Sequence, residues 1–125
     1  MTIQEIKKLR ETEDMVEFKE AKKNFSFAGS EHRDPAERRK CVLGYTVALA
    51  NEGGGMLVFG MKDKYPHEVV GTDFSNGKIG ELEDEIYKRL DTRVKIEEMF
   101  ENRKRVLVFM LLRPCPTYKF FQIWN

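Results

Sequence analysis

The chain has little of what most catalytic or metal sites need. Its 125 residues include only two cysteines and two histidines. Cys41 and Cys115 stand far apart and belong to no CxxC pair, which argues against zinc. His32 and His67 show no paired ligand spacing, and no Ser-His or Cys-His nucleophile motif accompanies them. No apolar run reaches the length of a membrane span, and the N-terminal MTIQEIKKLRETED has no apolar signal core. Reduced thiols and a cytoplasmic setting are therefore expected. Excess charge is missing too. Basic residues number 22 against 21 acidic ones, a net charge of +1, so any binding to phosphate has to come from local clusters of Lys and Arg.

What is present is a hydrophobic fraction of 41% with 34% charged residues, the composition of one folded domain. Thr2 and Glu5 form a capping box and predict a short helix over residues 3–11. MVEFKEA (15–21) alternates, placing Val16 and Phe18 on one side of a strand and Glu17 and Lys19 on the other. Residues 22–33 read as a loop in which Phe25 and Phe27 are expected to pack on the core. Asp34, Pro35 and Glu37 predict a helix start, with the helix running to about Asn51: basic at Arg38, Arg39 and Lys40, apolar nearly all round later. MLVFGM (56–61) reads as a central strand, Tyr65-Pro66-His67 as a turn and EVVG (68–71) as a short return strand. Ser75 or Asn76 would cap a helix carrying Ile79, Leu82, Ile86 and Leu90. VKIEEMF (94–100) and VLVFMLL (106–112), joined at ENRK, predict a hairpin. The order α-β-α-β-β-α-β-β implies a mixed sheet with packed helices, an α/β or α+β fold. Pro114 and Pro116 should end the last strand ahead of an aromatic-rich tail.

The glycine run in ALANEGGGMLVFGMKDK (48–64) invites a phosphate-loop reading, but its order is wrong for one. A phosphate loop follows a strand and opens a helix, whose free N–H groups face the anion. Here the glycines follow a predicted helix and precede a strand, and neither GxxxxGK[ST] nor GxGxxG occurs. Asn51 or Gly53 is expected to supply a left-handed helix end instead.

Taken together, Glu17-Phe18-Lys19, the helix end Ala48-Leu49-Ala50-Asn51 with Gly54 and Gly55, the strand end Gly60 with Asp63, and Val70-Gly71 resemble the Schlafen-type AlbA-like domain. The likeness covers roughly residues 10–113 and rests on several motifs in the right order. It implies a single domain over 1–113. The stretch 114–125 departs from the family pattern and reads as a truncated or altered C-terminus. The resemblance also implies nucleic-acid binding, DNA more than RNA, in the setting of a bacterial transcriptional regulator.

The residues that would supply such binding are Lys19, Lys22 and Lys23 after the first strand, Arg38, Arg39 and Lys40 (with Arg33) on the second helix, and Arg103, Lys104 and Arg105 in the hairpin. Such clusters neutralise phosphates in a salt-dependent way. Each also has acids beside it (Glu17, Glu20, Glu37, Glu101), as a merely charge-balanced surface would. A second reading follows from the same resemblance, since some Schlafen proteins are metal-dependent endoribonucleases with three carboxylates. Glu17 and Asp63 match two of those positions. The third, five residues before Glu17, is Thr12, flanked by Glu11 and Glu13, and Glu13 is the candidate substitute. Lys62 stands where the family commonly has an acid. Only this reading calls for a cofactor, a divalent cation such as Mg or Mn. A third class is a protein-interaction or dimerisation domain, which the hydrophobic tail and strand edges would serve as a homodimer.

Overall fold

The computed structural model of the chain describes residues 1–29, 33–75 and 77–111. His32, Asn76, Cys115, the two tail prolines and the 114–125 tail, all singled out above, lie outside the described residues. The elements in chain order are α1 (Ile3–Ile6), α2 (Glu11–Asp14), β1 (Val16–Lys19), α3 (Pro35–Arg38), α4 (Val42–Asn51), β2 (Gly55–Phe59), α5 (Ile79–Leu90), β3 (Val94–Glu101) and β4 (Lys104–Leu111). The four strands form one mixed sheet in the order β1-β2-β4-β3. β1 and β2 are parallel, with Lys19 opposite Phe59; β4 is antiparallel to both β2 and β3. The α+β architecture and the central place of β2 agree with the sequence reading.

Alternation along the strands fills two cores. One face carries Leu57, Phe59, Leu107, Phe109, Val94 and Ile96, and the buried faces of α4 and α5 pack on it. The other carries Val16, Phe18, Val58, Val106 and Val108, covered by Ile3 and Ile6 of α1 together with Met61 and Val69. Phe25 and Phe27 are partly buried against the first core, as the loop reading expected. The β3–β4 connection is a two-residue turn in which Asn102 and Arg103 both have positive φ (50° and 67°), the geometry whose twist matches the flanking strands.

The glycines behave as a helix stop. Gly53 N–H donates to the Ala50 carbonyl at 3.1 Å and Gly54 N–H to the Leu49 carbonyl at 2.9 Å, a Schellman closure with Gly53 at φ 101°. Gly55 follows for a different reason. A Cβ there would run into the Met15 carbonyl oxygen, which already accepts the Met56 N–H at 3.0 Å.

Four expectations are corrected. The helix over 35–51 is two helices, because loop carbonyls capture its mid-helix donors. Val42 and Leu43 N–H donate to Ser26 and Phe27 at 3.1 Å, and Cys41 is extended (φ −154°, ψ 170°) with its Sγ accepting the Gly44 N–H. The helix over 3–11 is likewise two single turns, since Arg10 is extended and the Leu9 carbonyl faces the His67 ring instead of a helical N–H. EVVG makes only one antiparallel bridge, Met61 to Val69. Val70 and Gly71 N–H both turn onto the Gly60 carbonyl, so no ladder can propagate. Ser75 does not cap α5: Lys78 occupies that position without a side-chain cap, while the Ser75 carbonyl closes a turn to Lys78 N–H at 3.2 Å.

Candidate nucleic-acid interface

The topology collects the basic loops at one end of the sheet. β1 and β2 end side by side at Lys19 and Phe59, and Leu107 of β4 lies opposite Phe59. β4 begins three residues earlier, at Lys104, so the hairpin turn projects roughly 10 Å beyond the ends of β1 and β2. α4 returns the chain from the end of β1 to the start of β2, which puts its amino end, and α3 just before it, at this same end. The carboxyl ends of parallel strands are the usual ligand side of open sheets.

Thr72 joins two of the clusters. Its N–H donates to the Arg105 carbonyl at 2.9 Å, and its hydroxyl donates to the Ala21 carbonyl; next to it, Asp73 N–H donates to the Lys22 carbonyl at 3.2 Å. The Lys22–Lys23 segment and the Arg103–Lys104 turn therefore flank the same strand-like stretch, residues 71–73. Lys23, Arg103 and Lys104 are exposed. Lys22 is paired with Glu20 at 3.5 Å, both about half exposed, a contact weak enough for a phosphate to displace. Glu101, read as the acid beside the hairpin cluster, is engaged by Lys7 at 2.9 Å. On and just after α3, Arg38 and Arg39 are exposed and Lys40 pairs with Glu37 at 3.1 Å.

Arg105 leaves the set of candidate phosphate ligands. It is only 8% exposed. Nε donates to Glu98 at 2.6 Å, Nη1 to the carbonyls of Phe74 (2.7 Å) and Thr72 (3.3 Å), and Nη2 to that of Ser75 (3.4 Å). This guanidinium fastens the 72–75 loop to the sheet.

Lys19 is half-buried on the helix side of β1. It pairs with Glu17 at 3.2 Å and lies 4.8 Å from the centre of the Tyr45 ring. Burial works against its charge, but Tyr45 and the Glu17 carboxylate outweigh it, so the ammonium titrates above its ordinary value. Glu17 is thus the partner of a cation. Asp63 is exposed in the loop after β2, and Glu13 is exposed on α2. Among the described residues no three His, Cys, Asp or Glu side chains come together to hold a metal, so these three acids are not brought into one group. Glu11, one residue from the family's third acidic position, accepts the Phe18 N–H at 2.8 Å and fixes the entry to β1.

His67 escaped sequence reasoning as a structural residue. It is buried, stacked on Phe18 at 3.6 Å, with one ring nitrogen 2.9 Å from the Lys62 carbonyl and the other 2.7 Å from that of Leu9. The Thr72 bridge was equally invisible, because nothing in a lone threonine signals two strand-end partners.

No helix among the described residues is long and apolar enough to cross a membrane. Among curated proteins, none matches the chain. A solved structure, the DIP2311 protein from Corynebacterium diphtheriae, is similar with a TM-score of 0.52 and 23% identity over 78% of this chain, a likeness of fold. This chain spans only 20% of that one. The Schlafen AlbA_2 family matches residues 13–119, which takes in every strand, the whole strand-end cluster and the first residues after Pro114. The chain belongs to the Schlafen AlbA_2 family, a membership that suggests a nucleic-acid-binding role.

Proposed function

We propose that this chain is a nucleic-acid-binding module that holds phosphates electrostatically at the strand-end face, acting on DNA in preference to RNA as part of a cytoplasmic bacterial transcriptional regulator. The observation that carries the reading is the Thr72 bridge, which draws Lys22–Lys23 and Arg103–Lys104 to either side of one short segment. Two clusters that each look charge-balanced in sequence are thereby tied through their backbone by hydrogen bonds to the same short segment, and their neighbouring acids are engaged elsewhere or only loosely. Family membership points the same way. Phosphate contacts of this kind position a strand without reading its sequence.

The test is binding of labelled DNA and RNA across a salt series, with and without Mg²⁺ or Mn²⁺. Affinity is expected to fall linearly on a log–log plot as salt rises. Binding that is absent at low salt, or indifferent to salt, overturns the reading. Metal-dependent cleavage that is lost in Glu17→Gln and Asp63→Asn would replace it with the nuclease. Homodimer formation is settled separately by mass across a concentration series.

A further inference from the structure

A groove of about 360 Å³ opens beside the basic loops, between the 72–75 loop and α5. It is lined by the rings of Phe27 and Phe74, by Leu82, and by Lys78, Glu81 and Glu85. Its size is at the lower end of ligand sites, room for one ring system. The aromatic rings are held in place. Phe74 stands edge-on to Phe59 (5.4 Å, 87°), which in turn packs on Phe109 at 5.0 Å in the core. Arg105 grips the Phe74 carbonyl at 2.7 Å, and Asp73, one residue away, is bonded to Lys22 of the basic patch. Phe27 has the Arg89 guanidinium 5.7 Å from its ring centre.

We propose that this groove is a slot for one unstacked base of a single-stranded nucleic acid, with the base against Phe74 and Phe27 and its neighbouring phosphates on Lys78 and the Lys22–Lys23 loop. The assignment rests on the nucleic-acid reading above and names its substrate class. Two features of the lining, together with the geometry of a duplex, select this occupant. Aromatic rings with a basic side chain beside them for the backbone are how proteins take up single strands, because every base has a face to stack; here Lys78 is that cation of the lining. A duplex cannot offer that face without extruding a base. Glu85 is paired with Arg89 at 3.1 Å, so Glu81 is the acid of the α5 rim that would repel phosphate but accept a hydrogen bond from an exocyclic amino group, as acidic side chains do with cytosine. The rim therefore fits the edge of an amino-bearing base, and the lysines fit the backbone.

The experiment compares fluorescence-polarisation affinities for a dC strand, a dT strand, the equivalent ribo-strand and a duplex, using the whole chain and its Phe74→Leu and Phe27→Leu variants. Leucine keeps apolar bulk against Phe59, and matching thermal melts confirm that each variant is folded. The wild-type chain is expected to bind single strands more tightly than duplex, and dC more tightly than dT. Phe74→Leu should weaken single-strand binding about five- to 150-fold while leaving the salt slope unchanged. A strand with one abasic site at the slot position should lose the same factor on the wild-type chain and nothing further on Phe74→Leu. A folded Phe74→Leu that binds single strands at wild-type strength, or a preference for duplex, overturns the slot and leaves the electrostatic reading standing. Equal affinity for dC and dT overturns the role given to Glu81. Wild-type failure on every probe at low salt overturns both readings, so the two fail distinguishably. The ribo-strand shows which sugar the site prefers, and loss of affinity in Phe74→Leu on either strand supports the slot.

Discussion

Arg105 Nη1 donates a hydrogen bond to the Phe74 carbonyl oxygen at 2.7 Å, while Nε of the same guanidinium donates to Glu98 at 2.6 Å. A residue at the start of an interior strand thereby holds a loop against the end of the sheet. Arg105→Lys should lower stability by about 2–4 kcal/mol, because a point charge cannot reproduce the fork and leaves carbonyls and a carboxylate without donors. Glu98 is one-third exposed, which keeps the loss below that of a fully buried pair. The measurement is a urea titration. The midpoint should fall with the slope unchanged, since the surface exposed on unfolding stays the same.

Arg105 also shows what the sequence made legible and what it hid. The alternation in KRVLVFML gives Arg105 the same parity as Leu107 and Phe109, both fully buried, so its inward direction could have been read from the pattern. The basic run Arg103-Lys104-Arg105 masked that signal by looking like a turn. The strands, α5 and the hairpin follow from periodicity and turn chemistry within a few residues, which is local information. The breaks in the two amino-proximal helices do not. They depend on Ser26, Phe27 and His67 meeting backbone groups far along the chain, and competition from tertiary partners is invisible to a local window. The interface behaves similarly. Each basic cluster was visible, but that two of them meet at residues 71–73 depends on strand order.

Two positions of the glycine run and Gly80 of α5 have different roles, and substitutions should tell them apart. Gly55→Ala would push a Cβ into the Met15 carbonyl at φ 134° and disturb the β1–β2 pairing. A loss of several kcal/mol, or failure to fold, is expected. Gly53→Ala meets no atom within 4 Å and carries only the strain of φ 101°, about 1–2 kcal/mol. Gly80→Ala, in α5 with open space around it, should raise stability by about 0.5–1 kcal/mol. Thermal melts of the three variants should rank in that order, and a Gly55→Ala chain as stable as Gly53→Ala would contradict the close approach.

Lys19 gives the fold a small alkaline dependence. Burial disfavours its charge, but Tyr45 and Glu17 favour it more strongly, so folding raises its affinity for the proton. The resulting stability is fully present below the ordinary lysine value of 10.5 and is lost as pH rises through the higher folded value. Lys19 and Glu17 both keep part of their side chains in solvent (28% and 33%), which screens the pair and limits the effect to less than about 1 kcal/mol. Glu17→Gln should shrink it. Melts of the two chains should differ at pH 9 and converge by pH 12. A difference that stays constant across that range would mean the ion pair contributes through packing rather than charge.

The basic loops make the sharpest prediction about binding. If Lys22, Lys23, Arg103 and Lys104 each meet a phosphate, the log–log salt slope should lose about 0.7 per neutralised residue on a single strand and about 0.9 on a duplex. The Lys22→Ala/Lys23→Ala pair and the Arg103→Ala/Lys104→Ala pair should then give slopes reduced by similar amounts, since they flank the same segment. The Arg38→Ala/Arg39→Ala pair asks a different question. α3 reaches this end of the sheet through the β1–α4 connection and shares no hydrogen bond with residues 71–73 among those described. A long strand should feel its loss while a short one does not, because only the longer backbone extends from the hairpin to α3. Equal slope changes for all three pairs on a short strand would instead describe a diffuse positive field, and the focus at Thr72 would lose its meaning.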